Sequence, residues 1–238
     1  MATFVLVHGA FHGGWCWRDV AARLRACGHE VFAPTLTGLG ERSHLAAPAV
    51  GLSTHVRDVA NVIEWEELGD VVLVGHSYGG MVITGVADRL AHRLAALVYL
   101  DALVPGNGES ALDLQTPERR ESILEEVAAN GGWLWPPRTA AFYGVCDAAK
   151  QAWVDARCTP QPFPTLFERL RLDGPPGATV ARKLYVLCTD PPLAYMRRFY
   201  EMAAATAGWR AMELRTGHDA MVTEPEALAR ILSDWAAG

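Results

Sequence analysis

Val71-Val72-Leu73-Val74-Gly75-His76-Ser77-Tyr78-Gly79-Gly80 is the stretch on which the reading of this chain turns. Its first four residues are too apolar for a half-exposed strand and fit a central strand of a parallel sheet. A helical pattern begins at about Tyr78 and runs to Leu90. Between strand and helix stands Gly-x-Ser-x-Gly, a turn tight enough to need glycines on both sides. Such a turn lifts a serine out of the backbone and sets it at a helix N-terminus, where free N–H groups and the helix dipole favour negative charge. A serine hydroxyl is a poor nucleophile until a base takes its proton. Ser77 is therefore the candidate nucleophile, and its base and acid must come from elsewhere in the chain.

Outward from this turn, short β-rich runs alternate with amphipathic helical stretches, the pattern of a parallel α/β sheet. Strands are expected at Phe4–Val7, Glu30–Ala33, Val71–Val74, Leu94–Leu100, Leu184–Cys188 and Ala211–Leu214. Helices are expected over Trp15–Ala26, about Ser53–Leu68 with Ser53 or Thr54 as N-cap, Tyr78–Leu90, and after Pro225. Residues 105–181 break the rhythm: they are rich in proline and aromatics and hold helix-like pieces at about Pro117–Ala129, Asp147–Arg157 and Phe163–Leu170, with no clear strand. The reading is a core made of residues 1–104 and 182–238, with 105–181 inserted as a small helical lid.

Composition excludes several classes. The 238 residues suit one domain able to bury a sizeable core. A net charge of −6 argues against nucleic acid or an anionic membrane as partner. No apolar run is long enough to span a bilayer, and the N-terminus enters a strand at once rather than reading as a signal peptide. The five cysteines are scattered without a CxxC pair, which suggests neither disulfides nor zinc and points to a reducing cytoplasm. His8 and His12 stand four apart, but Gly9 and the preceding strand make a helical metal-binding face improbable. Neither metal nor cofactor is expected, and a monomer or homodimer is.

A Gly-x-Ser-x-Gly serine of this kind is followed in chain order by an acid and then a histidine. Of eight histidines only His218, in Thr216-Gly217-His218-Asp219, lies in the last third. For the acid, Asp190 follows the strand Leu184–Cys188, while Asp101 ends the strand Leu94–Leu100 and could reach the same histidine. Asp219 adjoins His218 but, as its chain neighbour, points poorly for the task. The balance favours Asp190, with Asp101 as the alternative. An oxyanion hole needs two backbone N–H groups, one from the residue after the nucleophile and one from the loop after the first strand. Tyr78 and Ala10 supply these, with His8 and Gly9 reading as structural loop residues.

Three segments together carry a resemblance: Phe4 to Trp15 (FVLVHGAFHGGW), Gly75 to Gly80 (GHSYGG), and Gly217 to Met221 (GHDAM). They resemble the α/β-hydrolase branch that contains plant methylesterases, hydroxynitrile lyases and bacterial EstC-type carboxylesterases. Thr37 to Ser43 leans the likeness towards the bacterial esterases, and it extends over essentially the whole chain. The resemblance implies an α/β-hydrolase fold with a mostly parallel six-stranded sheet flanked by helices. It also implies an acid 28 residues ahead of the histidine, the position of Asp190. The lyases carry threonine and lysine where this chain has Gly9 and Asp219. A lysine would stabilise departing cyanide and an aspartate would repel it, so ester hydrolysis is expected instead.

The implied reaction is acyl transfer from a small hydrophobic or aromatic ester to water through an acyl-enzyme. The expected pocket walls are Trp133, Trp135 and Phe163 from the insertion and Phe11, Leu103 and Met221 from the sheet side. A lactonase, thioesterase or cyclising hydrolase with the same triad remains an alternative, with lyase chemistry or a non-catalytic binding role behind it.

Overall fold

The computed structural model describes residues 1–174 and 180–238, so part of the expected insertion, residues 175–179, lies outside the described residues. The chain runs β1 (Thr3–Val7), α1 (Arg18–Ala26), β2 (Glu30–Phe32), α2 (Leu52–Trp65), β3 (Val71–His76), α3 (Gly79–Leu90) and β4 (Leu94–Leu100). Then come α4 (Pro117–Ala129), β5 (Leu134–Trp135), α5 (Ala148–Asp155), β6 (Gln161–Pro162) and α6 (Pro164–Phe167). It closes with β7 (Lys183–Cys188), α7 (Arg197–Ala205), β8 (Trp209–Leu214), α8 (Ala220–Thr223) and α9 (Pro225–Ala237).

Six strands form one sheet in the order β2-β1-β3-β4-β7-β8, and every pairing in it is parallel. Side chains alternate across the sheet and divide the core in two. Val5, Val7, Leu73, Leu97, Tyr99 and Tyr185 face α2, α3 and α7. Phe4, Leu6, Val72, Val74, Val98 and Val186 face α1 and α9. Both faces are covered, which explains why β3 reads as an unbroken apolar run.

The segment between β4 and β7 differs from its expected all-helical character. Leu134–Trp135 and Gln161–Pro162 pair as a small antiparallel ribbon. Such short runs, one of them ending in proline, carry too little periodicity to be read as strands. The start of α2 also departs from expectation. Gly51 is its N-cap, without a side-chain cap, and Glu168 from beyond α6 accepts the Ser53 N–H at 3.0 Å. A β-carbon on Gly51 would stand 2.0 Å from that carboxylate, so the cap is tertiary and leaves no local mark.

Candidate active site

Ser77 occupies the turn between β3 and α3 with φ +53°, the left-handed region where a side chain costs energy. The turn is held from both sides. The Ser77 N–H donates to the Leu100 carbonyl at 3.2 Å, and the Ser77 carbonyl accepts from Gly80 and Leu103 at 3.1 Å each. Gly79 is required by close approach: a β-carbon there would meet the Val7 carbonyl oxygen at 2.8 Å.

His218 stands between β8 and α8, buried to 3% exposure. Its Nδ1 donates to Asp101 Oδ2 at 2.6 Å. Asp101 is fully buried one residue past β4, at φ +42°. Its other oxygen accepts the Cys188 N–H from the end of β7 at 3.1 Å. One carboxylate oxygen is thus anchored by the neighbouring strand while the other orients the imidazole. His76 Nε2 donates to the His218 carbonyl at 3.0 Å and fixes the loop. Burial, with help from the adjacent His218 and His12, holds the His76 pKa well below the usual value, which keeps this histidine neutral.

The expected partner Asp190 is elsewhere. Two residues past β7 it has turned to the surface, where Arg215 Nε bonds its carboxylate at 3.0 Å and its side chain is 57% exposed. Asp101 fills the space behind His218. The expectation of Asp190 beside His218 is therefore corrected. A 28-residue spacing counts positions along the chain, whereas the two strand ends compete in space.

Ala10 and Tyr78 both border the cleft that Ser77 and His218 share. Among the described residues neither N–H has an acceptor, although the neighbouring Phe11 N–H is taken by Gln161 Oε1 at 3.2 Å. His8 is buried; its Nδ1 donates to the Gly9 carbonyl at 2.8 Å and its Nε2 accepts the Leu36 N–H at 3.0 Å. This arrangement needs a neutral ring, and burial pushes the His8 pKa down to about 3. Behind Tyr78, its hydroxyl bonds His55 Nδ1 at 3.0 Å while His55 Nε2 donates to the Thr37 carbonyl at 2.9 Å. His55 too is neutral, its pKa pushed by burial to about 4.

The cleft is narrow, with about 50 Å³ of free volume. Phe11, Leu103 and Trp135 line it as expected from the sequence, and the Phe11 and Trp135 rings meet at 4.5 Å. Three expected wall residues do not line it. Trp133 lies just before β5, Phe163 packs on Phe167 at 5.3 Å, and Met221 is buried in the core on the α1/α9 face of the sheet. In their place stand His12, Gln115, Arg119, Ile123, Tyr143 and Tyr195 among others. Arg119 lies over the Trp135 ring at 5.4 Å, adding a cation to the aromatic side of the wall. These residues come from irregular or amphipathic stretches whose inward face only the tertiary fold selects; the aromatic pair Phe142–Tyr143 was the one visible hint.

Among the described residues one group has metal-like spacing, His76, His218 and Asp219, with donor atoms within 4.8 Å of one another. One nitrogen each of His76 and His218 is taken by a protein acceptor and one Asp219 oxygen bonds His12, while His76 Nδ1 and Asp219 Oδ1 have no partner among the described residues.

Gly9 has no room for the threonine of the lyases. A β-carbon there would lie 2.8 Å from Ser77 Cβ and 3.0 Å from His76 Nδ1. Asp219 is fully buried and bonded to His12 Nε2 at 3.2 Å, so a carboxylate stands where the lyases place a cation.

Comparison with known proteins agrees with this architecture. The chain is 46% identical to a carbendazim hydrolyzing esterase of Nocardioides sp. (strain SG-4G), over 98% of this chain and 99% of that protein. It is 36% identical to the putative chloroplastic methylesterase 11 of Arabidopsis thaliana, over 47% of this chain and 29% of that protein. In structure it superposes on an extracellular alpha/beta-hydrolase from a Paenibacillus species, reported to share structural and functional homology with tobacco salicylic acid binding protein 2. That match has a TM-score of 0.86 at 26% identity and covers 98% of each chain. A pyrethroid hydrolase from Sphingobium faniae, 24% identical with a TM-score of 0.75 over 100% of this chain and 98% of that one, shares the fold. The family model for alpha/beta hydrolases matches residues 4–231, and the chain belongs to that family.

Proposed function

We propose that the protein is a serine carboxylic-ester hydrolase whose nucleophile is Ser77, whose base is His218 and whose acid is Asp101. The observation that carries this is the buried Asp101–His218 hydrogen bond of 2.6 Å, set behind a cleft that also holds the strained Ser77. Ser77 attacks the ester carbonyl as His218 takes its proton through Nε2, the nitrogen left free by Asp101. The negative oxygen is received by the N–H groups of Ala10 and Tyr78. His218 then protonates the departing alcohol, and water repeats the sequence on the acyl-enzyme. Asp101 holds the ring in place and stabilises the imidazolium as it forms.

The substrate class is a small ester with a flat or aromatic part, which suits the Phe11, Trp135 and Tyr143 walls. The described part of the insertion, residues 105–174, acts as a lid, since it supplies Ala111, Gln115, Arg119, Trp135 and Tyr143 to the cleft. The buried Asp219 and the closed space at Gly9 favour hydrolysis over cyanohydrin cleavage. Five free thiols, two of them exposed, fit a reducing cytoplasm. Among the described residues no helix is long and apolar enough to cross a membrane.

The test is turnover of a panel of p-nitrophenyl esters, aryl methyl esters, lactones, thioesters and carbendazim, with active-site labelling by a fluorophosphonate. Hydrolysis of activated esters and labelling at Ser77 are expected. A folded wild-type protein inert to both would overturn the proposal.

A further inference from the structure

A second buried histidine–carboxylate pair lies beside the first and has no part in the mechanism above. His12 is 1% exposed and borders the cleft with Ser77 and His218. Its Nδ1 is 2.8 Å from the Ala10 carbonyl oxygen and its Nε2 is 3.2 Å from Asp219 Oδ2. A carbonyl only accepts, so Nδ1 must carry a proton. An ionised carboxylate only accepts as well, so Nε2 must carry one too. Against an ionised Asp219, either neutral tautomer would set a bare nitrogen against an oxygen lone pair in a buried site, which costs more than a lost hydrogen bond.

The groups facing His12 agree with a positive ring. The Trp15 ring stacks on it at 5.2 Å, the neutral His76 ring meets it edge-on at 6.4 Å, and Tyr143 does so at 5.7 Å. The Cys158 sulfur is 3.9 Å from Nε2. Burial alone would strip the proton, but the Asp219 carboxylate outweighs it and raises the His12 pKa well above the usual value.

We propose, on the reading that Ser77 is the nucleophile, that His12 is a positioning residue held as an imidazolium by Asp219. It clamps the Ala10 carbonyl so that the Ala10 N–H faces the developing oxyanion, and it lends positive charge to that side of the cleft. The clamp has two jaws: neutral His8 holds the carbonyl before Ala10 and charged His12 holds the carbonyl of Ala10 itself. Asp219 cancels the charge at rest, so the pair biases the site towards the negative transition state without leaving an isolated buried ion.

The inference separates from the proposed function in one experiment. If wild type takes no fluorophosphonate label, the hydrolase reading itself fails. With wild type labelled, His12→Asn should slow labelling by about 10- to 100-fold. The affinity for an aryl trifluoromethyl ketone should weaken by a similar factor, while KM for a neutral p-nitrophenyl ester shifts by less than about threefold. Asp219→Asn, which keeps the shape and removes the charge, should move the same quantities the same way. Labelling rates unchanged in a folded variant would overturn the inference. If neither variant folds, selective ¹⁵N-histidine NMR of wild type decides. Both His12 ring nitrogens should carry protons at pH 8, and a neutral ring there would overturn it.

Discussion

Strands β4 and β7 lie side by side in the sheet, and each is followed by an aspartate at the edge where Ser77 stands. Asp101 comes one residue after Leu100, and Asp190 two after Cys188. In sequence they are near equivalents; in the fold they are opposites. Asp101 is fully buried, with one oxygen on His218 and the other on the Cys188 N–H. Asp190 lies at the rim with Arg215, free to exchange that partner for water. The difference shows what holding an imidazole in one orientation requires: a carboxylate fixed by a second donor and shielded from solvent, where each hydrogen bond counts for more.

The comparison between interior and rim can be broken most sharply at the nucleophile. Ser77→Ala should lower kcat by roughly 10⁶-fold, read in ester turnover, if the buried array works as a unit. Gly9→Thr is next. Its side chain must displace Ser77 or His76, and a misplacement near 1 Å should cost about 100-fold in kcat/KM. The result separates a crowded interior from a forgiving one.

Smaller effects test the support behind the site. Tyr78→Phe leaves the acceptor nitrogen of His55 unpaired in the interior, and urea unfolding should show a loss of about 1–3 kcal/mol. His8 and His55 give the interior a pH signature. Their pKa values, pushed down to about 3 and about 4 from 6.5, mean that the unfolded chain binds protons before the folded one does. Their contribution is intact above about pH 6.5 and declines as the pH falls towards 4, so the urea midpoint should drop across that window. The slope should flatten in His55→Gln. At the rim, Arg215→Ala should change ester turnover by about twofold or less, because an exposed ion pair contributes little.

Much of this was legible in the sequence, and the failures share a cause. Ser77 and His218 sit in short segments whose meaning is local: an apolar strand, a glycine-bounded turn, a late loop before the last helix. The central strands were legible for the same reason, because burial on both faces leaves unbroken apolar runs at Val71–Val74 and Leu94–Leu100, whereas the edge strands β2 and β8 are partly exposed. The carboxylate beside His218 was not, since whether Asp101 or Asp190 lies there depends on which strand end turns inward, a question about packing between β4 and β7. The walls of the cleft were half legible. Phe11 and Leu103 adjoin motif residues, whereas Arg119 and Gln115 reach the cleft only through the path of the inserted segment. His12 and Asp219 were each visible as polar residues within motifs, but 207 positions separate them and nothing local announces their bond.

The most direct test of the account is kcat/KM on one p-nitrophenyl ester for Asp101→Asn and Asp190→Asn, purified side by side with wild type. The account predicts a fall of about 10⁴-fold for Asp101→Asn, through the wrong imidazole tautomer, and about twofold or less for Asp190→Asn. The reverse order, with Asp190→Asn the crippled enzyme and Asp101→Asn close to wild type, would contradict it.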